Sequence, residues 1–184
     1  MIIPGAARSF APGVVLALLL LACAEDPAPT PGEFIAIERD FAGFDQWTVF
    51  DRGSQPVGLT HPDGSSFVYV SALPPSGATE FPVGTMIVRI TTGLDPATWE
   101  AHAMVKRGGD YNADGARGWE FFDLQLGSLE PPVAPTIRWR GVSPAMGDGY
   151  VIPDGGAFLS CNHCHGSAVD NDSVLGPELD LRSL

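Results

Sequence analysis

Residues 85–92 read TMIVRITT, a run whose apolar side chains alternate along the chain. Met86, Val88 and Ile90 fall on one face of an extended chain, while Ile87 and its polar neighbours fall on the other. Several of these side chains are β-branched and fit a pleated surface well. The run therefore predicts a β-strand.

The same period recurs further along the chain. In residues 119–126, WEFFDLQL, Phe122, Leu124 and Leu126 lie opposite Phe121. Between stretches rich in Pro and Gly lie three more short runs with β character: FVYVSAL at 67–73, AHAMVKR at 101–107 and TIRWRGV at 136–142. This organisation predicts a mainly β (α+β) fold built on an antiparallel sheet.

A few short helices complete the expected fold. Phe34, Ile37 and Phe41 recur at three- and four-residue steps, which predicts a helix over residues 32–44. Another short helix is expected near the C-terminus over residues 157–166, AFLSCNHCHG. We find no internal repeat in the sequence.

The first 22 residues have the organisation of an export signal. One positive charge precedes the apolar run VVLALLLLA, and the ending LLAC resembles the cleavage motif of bacterial lipoproteins. We therefore expect residues 1–22 to be a lipoprotein signal peptide and Cys23 to become the lipidated N-terminus. Residues 23–33, which are acidic and rich in Pro, predict a linker before one domain at 34–184. The expected location is the periplasmic side of a bacterial membrane, the outer rather than the inner one, with the lipid as the only anchor.

Acidic residues dominate the charge of the chain. Twenty-two acidic residues stand against 10 basic ones, which gives a formal net charge of −12. A surface of that sign repels phosphate groups, so we expect no nucleic acid partner. Because 45% of the residues are hydrophobic and 17% are charged, a wholly disordered chain is excluded.

Residues 161–165 read CNHCH and match C-x-x-C-H, the attachment signature of c-type heme. On a helical turn, Cys161 and Cys164 lie on one face, so both thiols can form thioethers with the vinyl groups of one porphyrin. His165 follows directly and is the predicted proximal ligand of the heme iron. The expected cofactor is therefore heme c, covalently attached.

Two other chemistries use similar spacing. Cys161 and Cys164 could bind zinc with His163 and His165, but four ligands within five residues close a tetrahedron poorly. A redox-active dithiol is expected after a strand in a βαβ pattern, and the Gly- and Pro-rich region before Cys161 has no such pattern. Export favours heme, because c-type heme is attached outside the cytoplasm.

Three stretches in this order resemble the cytochrome P-460 family: YVSALPPSGATEFPVGTMIVRI, AHAMVKRGGDYNADGARGWEFFDL and CNHCHGSAVDNDSVLGP. The resemblance spans residues 67–176 and implies a mainly antiparallel β fold with a five-coordinate c-type heme, often in a homodimer. In members that oxidise hydroxylamine, a lysine in the position matched by Lys106 is covalently linked to the porphyrin edge. Lys106 is the only lysine of this chain. The related cytochromes c-prime-beta lack the link and bind nitric oxide in an apolar pocket.

The resemblance also implies a carboxylate that accepts protons from the substrate. Glu120 and Glu130, together with Asp123, lie between Lys106 and the heme motif and are the candidate acids. The expected function is an exported cytochrome of the P-460 type, which oxidises hydroxylamine or reacts with nitric oxide. A redox partner protein would receive the electrons.

Two alternatives belong to other functional classes. The first is a membrane-tethered electron carrier with a six-coordinate heme and no substrate of its own. Its second axial ligand would come from one of Met86, Met104, Met146, His61, His102 and Lys106. The second alternative is a nitric oxide binding protein without turnover.

Overall fold

The computed structural model of this chain describes residues 32–55, 64–92, 99–127, 130–142 and 160–184. Within them, six strands form one antiparallel sheet in which every strand pairs with the next one along the sequence. The strands are β1 (Thr48–Gln55), β2 (Gly64–Val70), β3 (Met86–Thr92), β4 (Glu100–Lys106), β5 (Trp119–Gln125) and β6 (Thr136–Gly141). In the same residues the only α-helix is α1 (Cys161–His165), which short 3-10 turns follow.

One face of the sheet packs against the segment that precedes β1. We call it the packed face and define it by Val88, Ile90, Ala103, Phe122 and Leu124, all at most 5% exposed. Phe41 and Phe44 from the preceding segment are fully buried on this face. The ring of Phe41 meets Phe122 edge-on, with centroids 5.2 Å apart. Burial of each such ring contributes about 1.5–3 kcal/mol.

The opposite face packs against the end of the chain. We call it the C-terminal face and define it by Val68, Ile87, Met104, Trp119 and Phe121. Residues 160–184 cover this face and bury Val174, Leu179 and Leu181 against it. Because both faces are covered, β5 carries buried side chains in almost unbroken succession, as strands buried on two sides do.

The five strands predicted from the sequence are confirmed. The predicted division of side chains is confirmed as well, since Val88 and Ile90 lie on the packed face and Ile87 lies on the C-terminal face. The prediction missed β1, because its second half reads as a turn. The register of β1 shifts between Asp51 and Ser54, and Gly53 there has a φ of 64°, so a bulge hides the strand pattern.

The helix predicted over residues 32–44 is wrong. The structure has only two 3-10 turns in this region, Glu38–Phe41 and Phe44–Gln46. A long-range hydrogen bond and a glycine turn explain why no helix forms. The backbone N–H of Phe34 donates to the carbonyl of Arg107 at 2.9 Å, and Gly43 turns the chain with a φ of 74°. The predicted C-terminal helix is confirmed over Cys161–His165, and residues 157–159 lie outside the described residues.

The predicted signal peptide, Cys23 and most of the 23–33 linker lie outside the described residues. In the described part of the chain, no helix has the length and apolar composition that a membrane span requires. Export and lipidation therefore stay predictions.

Candidate functional site

A cavity of about 550 Å³ lies between the C-terminal face of the sheet and the segment that begins at Ser160. Its apolar wall comes from Val68, Ile87, Met104, Phe121 and Val174. The two cysteines and the histidine of the C-x-x-C-H motif line the same cavity. Charged and polar side chains also line it: Arg52, Arg89, His102, Asp123 and Arg138. The volume falls within the range of cofactor pockets.

Helix α1 is held in place by a cap at its N-terminus and by hydrogen bonds from the loop between β4 and β5. Ser160 caps the helix, because its Oγ accepts a hydrogen bond from the backbone N–H of His163 at 3.2 Å. Asn162 and Asn112 exchange side-chain hydrogen bonds of 2.7 and 2.8 Å. Asn162 Oδ1 also accepts from the N–H of Ala116 at 3.1 Å. The loop between β4 and β5 thereby fixes the helix that carries the motif.

The two thiols of the motif are partly buried and not joined to each other. Burial raises the pKa of Cys161 to about 11, and burial also raises the pKa of Cys164. A redox-active dithiol instead lowers the pKa of its attacking thiol. The surroundings of these cysteines therefore disfavour the dithiol alternative.

His165 is held by a backbone carbonyl. Its Nδ1 lies 2.9 Å from the carbonyl oxygen of Ser173, and its ring centroid lies 5.0 Å from that of Phe121. A carbonyl oxygen only accepts hydrogen bonds, so Nδ1 carries the hydrogen and the lone pair of the neutral ring is on Nε2. This is the tautomer that ligates a metal through Nε2.

Lys106 lies on the same face of β4 as Met104 but outside the cavity wall. The residue is 6% exposed. Its Nζ pairs with Asp172 Oδ1 at 2.5 Å and lies 5.2 Å from the centre of the Trp119 ring. The lysine amine is therefore bound to the C-terminal segment.

The candidate acids lie in three different environments. Glu120 is buried on the packed side of β5 and pairs with Arg140 through two hydrogen bonds of 2.8 Å. Glu130 lies on the exposed loop between β5 and β6. Of the candidate acids, only Asp123 lines the cavity, where its Oδ2 is 3.6 Å from Nε of Arg138. The structure thus does not bring Glu120 or Glu130 to the motif.

Two of the candidate second axial ligands line the cavity. They are Met104, which is 5% exposed, and His102. Met86 packs against the core of the packed face instead. His61 and Met146 lie outside the described residues.

Sequence reasoning missed the residues that support the motif, above all Asp172 and Ser173. Both have left-handed backbone conformations, with φ of 48° and 61°. The only sequence signal there is the polar run DNDS, which predicts a turn and nothing more specific. Asn112 and Asn162 likewise carry no motif of their own.

Among the described residues, no three His, Cys, Asp or Glu side chains are grouped so that they could hold a metal ion by themselves. No family model, curated protein or solved structure matches this chain. The fold and the site define a mainly β domain with a large cavity beneath its C-terminal segment. The resemblance to the cytochrome P-460 family therefore stays a prediction from the sequence motifs.

Proposed function

We propose that this chain is an exported, lipid-anchored c-type cytochrome whose heme is joined to Cys161 and Cys164 and ligated by His165. One observation carries the proposal: both thiols and the imidazole line a single cavity of about 550 Å³. The hydrogen bond from Nδ1 of His165 to Ser173 supports ligation through Nε2. The apolar wall suits the porphyrin, which is itself largely apolar.

The proposed reaction is the one that the resemblance to the cytochrome P-460 family implies. The heme, when bound, supplies an iron centre that can bind nitric oxide or take electrons from hydroxylamine. Asp123 is the candidate acid on the cavity wall, and its carboxylate can accept the protons released as N–H and O–H groups are oxidised. Met104 and Phe121 line the apolar part of the cavity, where they would limit the access of water to the heme. A redox partner protein would accept the electrons.

A six-coordinate electron carrier is the second candidate function. Met104 and His102 line the same cavity as His165, so either could supply a second axial ligand. Such a closed site would leave no position for hydroxylamine or nitric oxide.

Heme attachment is tested by expressing the full chain in an exporting bacterium that carries the c-type heme attachment machinery. We expect a heme-stained band under denaturing conditions and a hemochrome spectrum typical of two thioethers. Cys161→Ala with Cys164→Ala should abolish the stain. His165→Ala should change the visible spectrum, whereas His163→Ala, in the same helix but exposed, should not. A colourless wild-type protein with two unmodified thiols would contradict the proposal.

The visible spectrum of the ferric protein separates the two candidate functions. A high-spin spectrum indicates an open iron position, and hydroxylamine turnover should then fall at least tenfold in Asp123→Asn. A low-spin spectrum that becomes high-spin in Met104→Leu or His102→Gln indicates the electron carrier.

A further inference from the structure

We propose that Lys106 and Asp172 are a positioning pair that holds the Ser173 carbonyl against His165 and so sets the strength of the iron–histidine bond. The inference rests on the proposed heme function. It gives the only lysine of the chain a role as a charged partner of Asp172, and not as a covalent link to the porphyrin.

Four hydrogen bonds hold Asp172. Lys106 Nζ donates to Oδ1 at 2.5 Å, and the backbone N–H of Phe81 donates to Oδ2 at 2.9 Å. The indole N–H of Trp119 donates to the carbonyl oxygen of Asp172 at 2.7 Å, and the N–H of Asp172 donates to the Val169 carbonyl. Strands β4 and β5, with the loop before β3, thus fix both oxygens of the carboxylate and the peptide that leads into Ser173.

The backbone at this point requires such support. Asp172 and Ser173 are consecutive non-glycine residues with positive φ, a conformation that is unfavourable for residues with a Cβ. Their conformation directs the Ser173 carbonyl at Nδ1 of His165, 2.9 Å away. The N–H of Ser173 is tied in turn to the carbonyl of Ala168 at 2.8 Å. If Asp172 were released, the Ser173 carbonyl would lose its fixed direction.

Among the described residues, the acidic partner of the lysine is Asp172, and both side chains are buried. Its side chain is 7% exposed and that of Asp172 is 9% exposed. Nζ also lies 3.4 Å from the Arg117 carbonyl, and Gly118 approaches so closely that a Cβ there would lie 3.3 Å from Nζ. A buried ammonium of this kind needs its partner, which makes the pair a rigid connection between β4 and the C-terminal segment.

The pair would affect the iron through the hydrogen bond between the Ser173 carbonyl and Nδ1 of His165. An imidazole that donates Nδ1–H to a fixed acceptor is a more basic ligand through Nε2. Loss of the pair should therefore weaken the bond between His165 and the iron. Lys106 and Asp172 would act on this bond only through the Ser173 carbonyl.

The test is resonance Raman spectroscopy of the ferrous heme-loaded protein, in which the iron–histidine stretching band is measured. Asp172→Asn and Lys106→Met should shift the band to lower frequency and broaden it, and the reduction potential should rise. Asp110→Asn, which breaks the exposed ion pair with Arg117 in the same loop, is the matched control and should leave the band unchanged. If the charge variants do not accumulate, Trp119→Phe removes the indole N–H that holds Asp172, together with part of a buried ring, and keeps both charges. It should give a smaller shift in the same direction.

Failure of this inference differs from failure of the proposed function. A normal hemochrome spectrum with the same iron–histidine band in wild type and in every folded variant would overturn the positioning role and leave the heme proposal standing. Mass spectrometry that finds Lys106 bonded to the porphyrin would also overturn it, because the amine could not then pair with Asp172. A wild-type protein without heme would overturn both.

Discussion

In the described residues, the two faces of the sheet bury similar numbers of apolar side chains, but the C-terminal face also lines a large cavity. On the packed face, aromatic rings from the segment before β1 reach into the sheet, and Phe41 meets Phe122 directly. On the C-terminal face, a cavity of about 550 Å³ remains beneath the covering segment. Protein interiors are normally close-packed, with few voids larger than a water molecule. We therefore propose the C-terminal face, and not the packed face, as the side on which the heme would lie.

The largest expected effect is on the packed face. Phe122→Ala should lower the free energy of unfolding by about 3–5 kcal/mol, because the ring leaves a hole that its neighbours cannot fill. Met104→Ala, on the cavity wall, should cost only about 2 kcal/mol in cofactor-free protein, since it enlarges a space that already exists. Urea unfolding of the two variants measures both values. Equal losses would mean that the two faces are packed alike.

The next largest effect is expected from Glu120, the buried acid on the packed face. Glu120 is 2% exposed and accepts two hydrogen bonds from Arg140, while Arg107 lies 3.6 Å away. Glu120→Gln should cost about 3 kcal/mol of stability, because it leaves the arginines without their charge partner. The heme spectrum and ligand binding should not change, since the residue does not line the cavity. If turnover were lost while stability stayed unchanged, Glu120 would again be a candidate proton acceptor in the reaction.

The reactivity of Cys161 tests the C-terminal face without its cofactor. With its pKa raised to about 11 by burial, this thiol should react with iodoacetamide about 100-fold more slowly at pH 8 in the folded chain than in the denatured chain. Mass spectrometry of quenched samples, prepared without heme, follows Cys161 and Cys164 separately. Rapid alkylation of Cys161 in the folded protein would show that the segment over the cavity is not closed.

The smallest effect concerns acid stability at the edge of the packed face. The N–H of Val133 donates to the partly buried carboxylate of Asp45 at 2.9 Å, and this hydrogen bond lowers the pKa of Asp45 below its ordinary 3.8. Its contribution to stability is therefore complete above that pH and is lost as the pH falls through the lower folded-state pKa. Asp45→Asn should flatten the decline of the unfolding midpoint below about pH 4. A parallel decline in both proteins would assign the acid sensitivity to other groups.

The same two faces show what the sequence can and cannot reveal. Side-chain alternation in β3 and β5 predicted the strands and the division of residues between faces, because a period of two is enforced directly by the pleat. The spacing of Phe34, Ile37 and Phe41 wrongly predicted a helix. These residues lie in an extended stretch and a 3-10 turn, and the stretch is held by a hydrogen bond to a residue far along the chain. The helix of the heme motif was predictable from its local spacing. The support of His165 was not, since the left-handed turn at Asp172 depends on hydrogen bonds from Phe81 and Trp119.

The order of the strands has a consequence for how the molecule is assembled. Each strand pairs with its neighbour in sequence, so the sheet closes only short loops and can form early. The contacts of Asp172 with Phe81 and Trp119, in contrast, join residues 91 and 53 positions apart. We therefore expect docking of the C-terminal segment to be a late event of folding. Until then Cys161 and Cys164 would remain accessible beside a sheet that is already formed, which is the state that the proposed heme attachment requires.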